Sequence, residues 1–157
     1  RLLTTLRRDT RAALADVRRL VDNLRPPALD ELGLVGALQQ RSDQLAWRAD
    51  GASVQVRLDV PDEVPVLPAA IEVATYRIAT EALTNVVRHS RATAAEIRMR
   101  CGEQLELSIT DDGPPNGAWA PGVGLNAMRE RAAELGGSFQ AGPTPTGGRV
   151  VASFPLS

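Results

Sequence analysis

Glu81, Asn85, Arg88 and His89 recur at three- and four-residue spacing near the end of one predicted helix. An α-helix advances about 100° per residue, so these side chains bring a carboxylate, an amide, a guanidinium and an imidazole into one arc of roughly 100°. Counting back along the same face gives Ile78, Ala74 and Ile71, so Glu81 and Asn85 continue an apolar stripe that should face a core. Unpartnered polar groups are costly there, and both residues therefore need an internal partner or a ligand. Their oxygens suit magnesium, and Arg88 with His89 could address phosphate oxygens. Taken alone, His89 reads more simply as a helix-end imidazole capping backbone carbonyls.

A second group lies downstream. Leu105, Leu107 and Ile109 alternate as in a strand, and the same parity continues to Asp111, which places a carboxylate on the covered side where the strand ends. Held there, it can accept a hydrogen bond from an exocyclic amine, the group that marks a purine such as adenine. Asp-Asp-Gly is also an ordinary turn, and Gly113 is explained equally well by a turn or by close backbone approach to a ligand. Gly122-Val123-Gly124 precedes a predicted helix. Its bare backbone N–H groups could receive phosphate oxygens, or it could be only a flexible helix entry. Other chemistries lack their residues: one His and one Cys cannot make a zinc site, and a chain without lysine has no Gly-x-x-x-x-Gly-Lys loop.

The chain has 157 residues, 43% of them hydrophobic, enough for one compact domain with a short appendage. Its 18 basic and 19 acidic residues are interspersed and leave a net charge of −1, which argues against a nucleic-acid or membrane surface. Cys101 stands alone in an alternating strand pattern, so a buried, inert thiol is expected, and a reducing cytoplasm fits. No apolar run approaches the roughly 20 residues that span a bilayer. Because the chain opens on Arg1, we expect a piece of a longer protein, with any membrane anchor upstream and this part cytoplasmic.

Three segments follow from the patterning. In residues 1–25, Leu3, Leu6, Thr10, Ala13, Val17, Leu20 and Leu24 step alternately by three and four, a seam that either lies on the chain's own domain or, as its regularity and arginine-rich flanks favour, packs lengthwise in a helix bundle. Pro26-Pro27 should end that helix. Residues 26–50 hold a connecting segment and a second helix from about Asp30 to Ala49, with Leu34, Leu38 and Leu45 on one side. From Gly51 to the C-terminus, the periodicities predict the order β-α-β-β-α-β-β: an α+β sandwich with helices on one face of a sheet. Gly136-Gly137 should cap the second helix of that domain.

With this order in place, Glu81-Ala-Leu-Thr-Asn85-Val-Val-Arg88-His89 resembles the N-box of GHKL ATP-binding domains. Asp111-Asp112-Gly113 resembles their first glycine box, and Gly122-Val-Gly-Leu-Asn-Ala-Met-Arg-Glu-Arg-Ala the second. Leu24-Arg-Pro-Pro-Ala-Leu-Asp-Glu-Leu-Gly-Leu-Val-Gly-Ala-Leu38 is similar to the stretch joining the second dimerisation helix to the catalytic domain in sensor histidine kinases of the nitrate-sensor subfamily. The resemblance covers essentially the whole chain. It implies a Bergerat two-layer α/β sandwich with a mixed sheet, preceded by a dimerisation-type helix, in an enzyme that transfers the ATP γ-phosphate to histidine for relay to a response regulator. Asp111 would contact the adenine amine. Asn85 and Glu81 would hold Mg2+, with Glu81 acting on the attacking group. Gly113, Gly122, Gly124, Leu125, Arg88 and His89 would line the nucleotide site. A homodimer is implied for the full-length protein.

Three departures from the family pattern stand out. Pro115 replaces a second glycine of the first box, only eight residues separate Gly113 from Gly122, and the acceptor histidine is expected on a helix upstream of Arg1. The first two predict a short, stiffened lid. The alternatives are a serine kinase of the anti-sigma type, against which the Leu24 to Leu38 stretch argues, and a nucleotide-binding module that transfers no phosphate.

Overall fold

The structure, a computed structural model, describes all residues except Asn23 and 116–121, and the side chains of its helices and strands except those of Arg18, Arg19, Asp22 and Val123. Two helices, α1 (Leu2–Asp22) and α2 (Pro27–Leu45), precede the alternating segment. There follow β1 (Gln55–Asp59), α3 (Ala69–His89), β2 (Ala94–Cys101), β3 (Gln104–Asp111), α4 (Val123–Glu134), β4 (Ser138–Thr144) and β5 (Gly147–Pro155), in the element order that the periodicities predict.

The five strands form one mixed sheet in the order β1-β2-β3-β5-β4, with β1 parallel to β2 and every other pairing antiparallel. A parallel pair needs a crossover, and α3 supplies it. Register then stacks like with like. One row runs Leu58, Ile97, Ile109, Val150, Ala141 across the sheet, and a neighbouring row pairs Met99, Leu107, Ala152 and Phe139. This apolar face packs under α3 and α4, whose Ile78, Leu83, Met128 and Ala132 are buried against it. The opposite face carries Arg57, Glu96, Arg98, Arg100 and Asp59, joined by cross-strand ion pairs such as Arg98 to Asp59 at 2.8 Å. Arg100 beside Asp59 holds that carboxyl below its ordinary range.

Several boundaries differ from expectation. The helix α1 stops at Asp22, and the two prolines start α2: Pro26 is its N-cap and Pro27 enters its first turn, where a missing N–H costs nothing. The second helix thus spans Pro27–Leu45, not Asp30 to Ala49, and is broken at Gly33, whose φ of 70° and ψ of 174° are open essentially to glycine alone. Leu34 and Leu38 are buried as expected, and Leu45 is half-buried. Cys101 is half-buried, not fully enclosed, because it ends β2, and burial still raises its thiol pKa. At the end of α4 the glycine cap is complete: Gly136 has φ 70°, its N–H reaches the Ala133 carbonyl, and the Gly137 N–H reaches that of Ala132. The stretch with Gly117 and Pro121, which carries most of the expected lid, lies outside the described residues. Among the described residues, no helix is long and apolar enough to cross a membrane.

Candidate nucleotide site

The alternation that builds the apolar face of the sheet also carries a carboxylate onto it. Asp111 lies in the row of Val56, Ala95 and Gly148, where both of its immediate neighbours are small and the helix layer leaves room. A cavity of about 440 Å³ opens there, within the range of small-molecule sites. Its apolar walls are Ala82, Val86, Ile109, Leu125 and Val150; Asn85, His89, Ser90, Asp111, Gly122 and Gly124 also line it.

The Asp111 carboxylate is asymmetric. Oδ1 accepts from the Ser90 hydroxyl at 3.1 Å and from the Gly113 N–H at 2.9 Å. Oδ2 has no partner among the described residues, nor is it sealed away as a buried unsatisfied atom. It is the oxygen left for a ligand. Asp112 does different work: it turns to the strand entry, accepting from the N–H groups of Thr93 and Ala94 and from the Thr93 hydroxyl, which together hold its carboxyl below the ordinary range, the Ala94 N–H most strongly.

Along α3 the stripe runs as its spacing predicts, with Ile71, Ala74 and Ile78 buried and Glu81 and Asn85 half-buried beyond them. Gly124, in the first turn of α4, lies directly over these two. A Cβ there would stand 2.6 Å from Glu81 Oε1 and 3.6 Å from Asn85 Nδ2. Any larger residue would have to push the Glu81 carboxylate aside, so glycine lets α4 lie over α3 with Glu81 in its place. This brings the Glu81 carboxylate to the positive end of the α4 dipole. Gly122 is the N-cap of α4, with no side-chain cap for the first N–H groups.

Among the residues singled out from sequence, Asn85, His89, Asp111, Gly122, Gly124 and Leu125 share the cavity. Glu81 adjoins it through Gly124, whereas Arg88 is exposed and is not in its lining. Gly113 is also absent from the lining. Its bareness serves the protein, since a Cβ would collide with Ser90 Oγ and stand 2.9 Å from Asp111 Oδ1. Sequence reasoning missed Ser90 and the pair Gly147-Gly148 at the start of β5. A Cβ on Gly147 would overlap the Asp111 carbonyl, so β5 closes on the end of β3 only as glycine. Two adjacent glycines opening a strand were the available signal. Among the described residues, no group of three or more His, Cys, Asp or Glu could hold a metal alone.

No protein-family model matches the chain. Relatives do. The signal transduction histidine-protein kinase/phosphatase UhpB of Salmonella typhimurium is 35% identical over 142 residues, 88% of this chain and 28% of that protein. The nitrate/nitrite sensor protein NarX of Escherichia coli is 28% identical over 98% of this chain and 26% of its own length. The chain thus spans about a quarter of the length of these curated relatives. Among solved structures, the Acinetobacter baumannii histidine kinase AdeS superposes with a TM-score of 0.60 at 19% identity, covering 99% of this chain and 84% of that one. Full-length ShkA, crystallised with AMPPNP, gives 0.61 at 20% identity over 77% of this chain and 29% of that one. Sequence kinship and fold agree: the chain belongs to the sensor histidine kinases and has the α+β fold of their catalytic domain.

Proposed function

We propose that this chain is the ATP-binding catalytic portion of a two-component sensor kinase, transferring the γ-phosphate of ATP to a histidine on a dimerisation helix for relay to a response regulator. The observation that carries the reading is the single unpaired oxygen of Asp111, set on the apolar face of the sheet at the edge of an open, largely apolar cavity. A purine fits that setting: the walls receive its ring faces, and Oδ2 accepts from its 6-amino group. The phosphates then extend toward α4, where the N–H groups after Gly122 are unclaimed by any side-chain cap.

The donor set also fits magnesium, which ordinarily takes one or two protein ligands and fills its shell with water and substrate phosphates. Asn85 and Glu81 would supply those ligands, and the ion when bound would neutralise phosphate charge. Glu81 is close enough to α4 to orient the attacking imidazole or hold its proton, while His89 addresses phosphate oxygens from the cavity wall. Catalysis of this kind is positioning and electrostatics with little covalent work by the protein. The acceptor is supplied from outside the chain, because the sole imidazole, His89, sits on the phosphate side and is poorly placed for in-line attack.

Isothermal calorimetry with ATP and magnesium tests the reading. Binding is expected, and Asp111→Ala should weaken it roughly 10- to 150-fold, the value of a hydrogen bond to a charged group of about 1.5 to 3 kcal/mol. Undiminished binding by the variant would remove the adenine assignment.

A further inference from the structure

We propose that Ser90 is the specificity-determining positioning residue of this site: with the Gly113 N–H it fixes which atom of residue 111 faces the purine 6-position. The inference rests on the reading that the purine base meets Asp111.

The argument begins with hydrogen counting. Ser90 follows the last residue of α3, and its Oγ accepts from the Ala92 N–H at 2.9 Å. The hydroxyl has one proton, and a carboxylate has none to give, so that proton goes to Asp111 Oδ1. The Gly113 N–H donates to the same oxygen. Two donors therefore converge on Oδ1, and Oδ2 alone faces a ligand. The arrangement is tightly packed, since Gly113 must lack a Cβ for the Ser90 hydroxyl to stand where it does.

The consequence for an amide at this position is specific. In Asp111→Asn the Gly113 N–H, which can only donate, and the Ser90 hydroxyl, which already accepts from the Ala92 N–H, together favour an acceptor, so the amide oxygen takes the Oδ1 place and the NH2 group takes that of Oδ2. The substitution thus turns an acceptor into a donor, with its orientation held by Ser90 together with the Gly113 N–H. Adenosine presents an amine at position 6 and inosine a carbonyl. The native site should favour ATP over ITP, and Asp111→Asn should shift the preference toward ITP. The N1 positions of the two bases also differ, but that difference is common to both proteins and cancels when the ratios are compared.

Calorimetry of the 157-residue chain with magnesium and either ATP or ITP tests this in four proteins. The ATP/ITP affinity ratio is expected to fall at least about 10-fold from wild type to Asp111→Asn, the minimum for one charge-assisted bond gained or lost. In Asp111→Asn with Ser90→Ala the Gly113 N–H is the one donor left to hold the amide, so the ratio should move measurably part of the way back toward the wild-type value. Ser90→Thr, which keeps the hydroxyl, should retain the ratio of Asp111→Asn when combined with it. A purely structural Ser90 would weaken both nucleotides in proportion and leave the ratio unchanged, which overturns the proposal. Equal affinity of wild type for ATP and ITP, or binding of neither, would instead strike the adenine reading itself, and the proposal with it.

Discussion

Two neighbouring carboxylates, Asp111 and Asp112, differ in what surrounds them. Asp111 keeps one oxygen for a ligand, whereas Asp112 spends both on Thr93 and Ala94 at the entry to β2. The hydrogen bonds depress the Asp112 pKa, chiefly through the Ala94 N–H. A group whose pKa is lower when folded stabilises the fold above its unfolded value, about 3.9 for aspartate, and that contribution is lost as pH falls through the folded value. Asp112→Asn should therefore be less stable than wild type at pH 7, with the gap closing below about pH 4. Urea denaturation at several pH values measures it, and a gap that persists unchanged into acid would show that the carboxylate charge is not involved. The residue scale is also where sequence is most uneven. Strand parity alone puts Asp111 on the covered face. Ser90 and Gly147 escape notice because their reasons lie in segments far along the chain: Ser90 matters through Asp111, and Gly147 through the Asp111 carbonyl.

At the scale of elements, period-two and period-3.6 patterns are legible wherever one face is buried, which is why β2, β3, α3 and α4 fall close to their expected places. Pairing is not written so locally. The parallel join of β1 to β2, and the placing of β5 between β3 and β4, come from α3 crossing over and from tertiary packing. The second helix fails for a different reason. Its prolines read as terminators of α1, yet Pro27 is also a good first-turn residue, and the break at Gly33 is invisible in a run of helix-compatible residues. That break yields a prediction. A Cβ at Gly33 would meet no atom within 4 Å, so crowding is absent and only the backbone penalty remains. Gly33→Ala should cost about 1 to 3 kcal/mol, seen as a lower urea midpoint with unchanged slope. A variant as stable as wild type would show that the chain reaches a continuous helix without penalty, with the direction of α1 altered accordingly.

The whole molecule has one part that its own core does not satisfy. Among the described residues, α1 makes no close backbone approach to another helix or strand. It is held at its end: the Arg77 guanidinium of α3 donates to the carbonyls of Val21 and Leu24, and Arg25 bridges Asp30 and Glu72 at 2.6 Å each. The seam itself is bare, with Leu3 75%, Leu6 54%, Val17 54%, Leu20 67% and Leu24 64% exposed. Burying such a side chain fully is worth about 1.5 to 3 kcal/mol, so two seams meeting can exceed the entropic cost of association, about 4 to 15 kcal/mol. The stripe follows the three-four spacing that packs helices lengthwise. We therefore expect the chain to associate through α1. Light scattering after size exclusion should give a dimer for wild type and a monomer for the double variant Leu6→Glu with Val17→Glu. The variant should bind ATP as wild type does, because the cavity is built on α3, α4 and the sheet. A wild-type chain that stays monomeric at its highest soluble concentration would remove the self-association. A variant that loses nucleotide binding along with the dimer would show that α1 also supports the site.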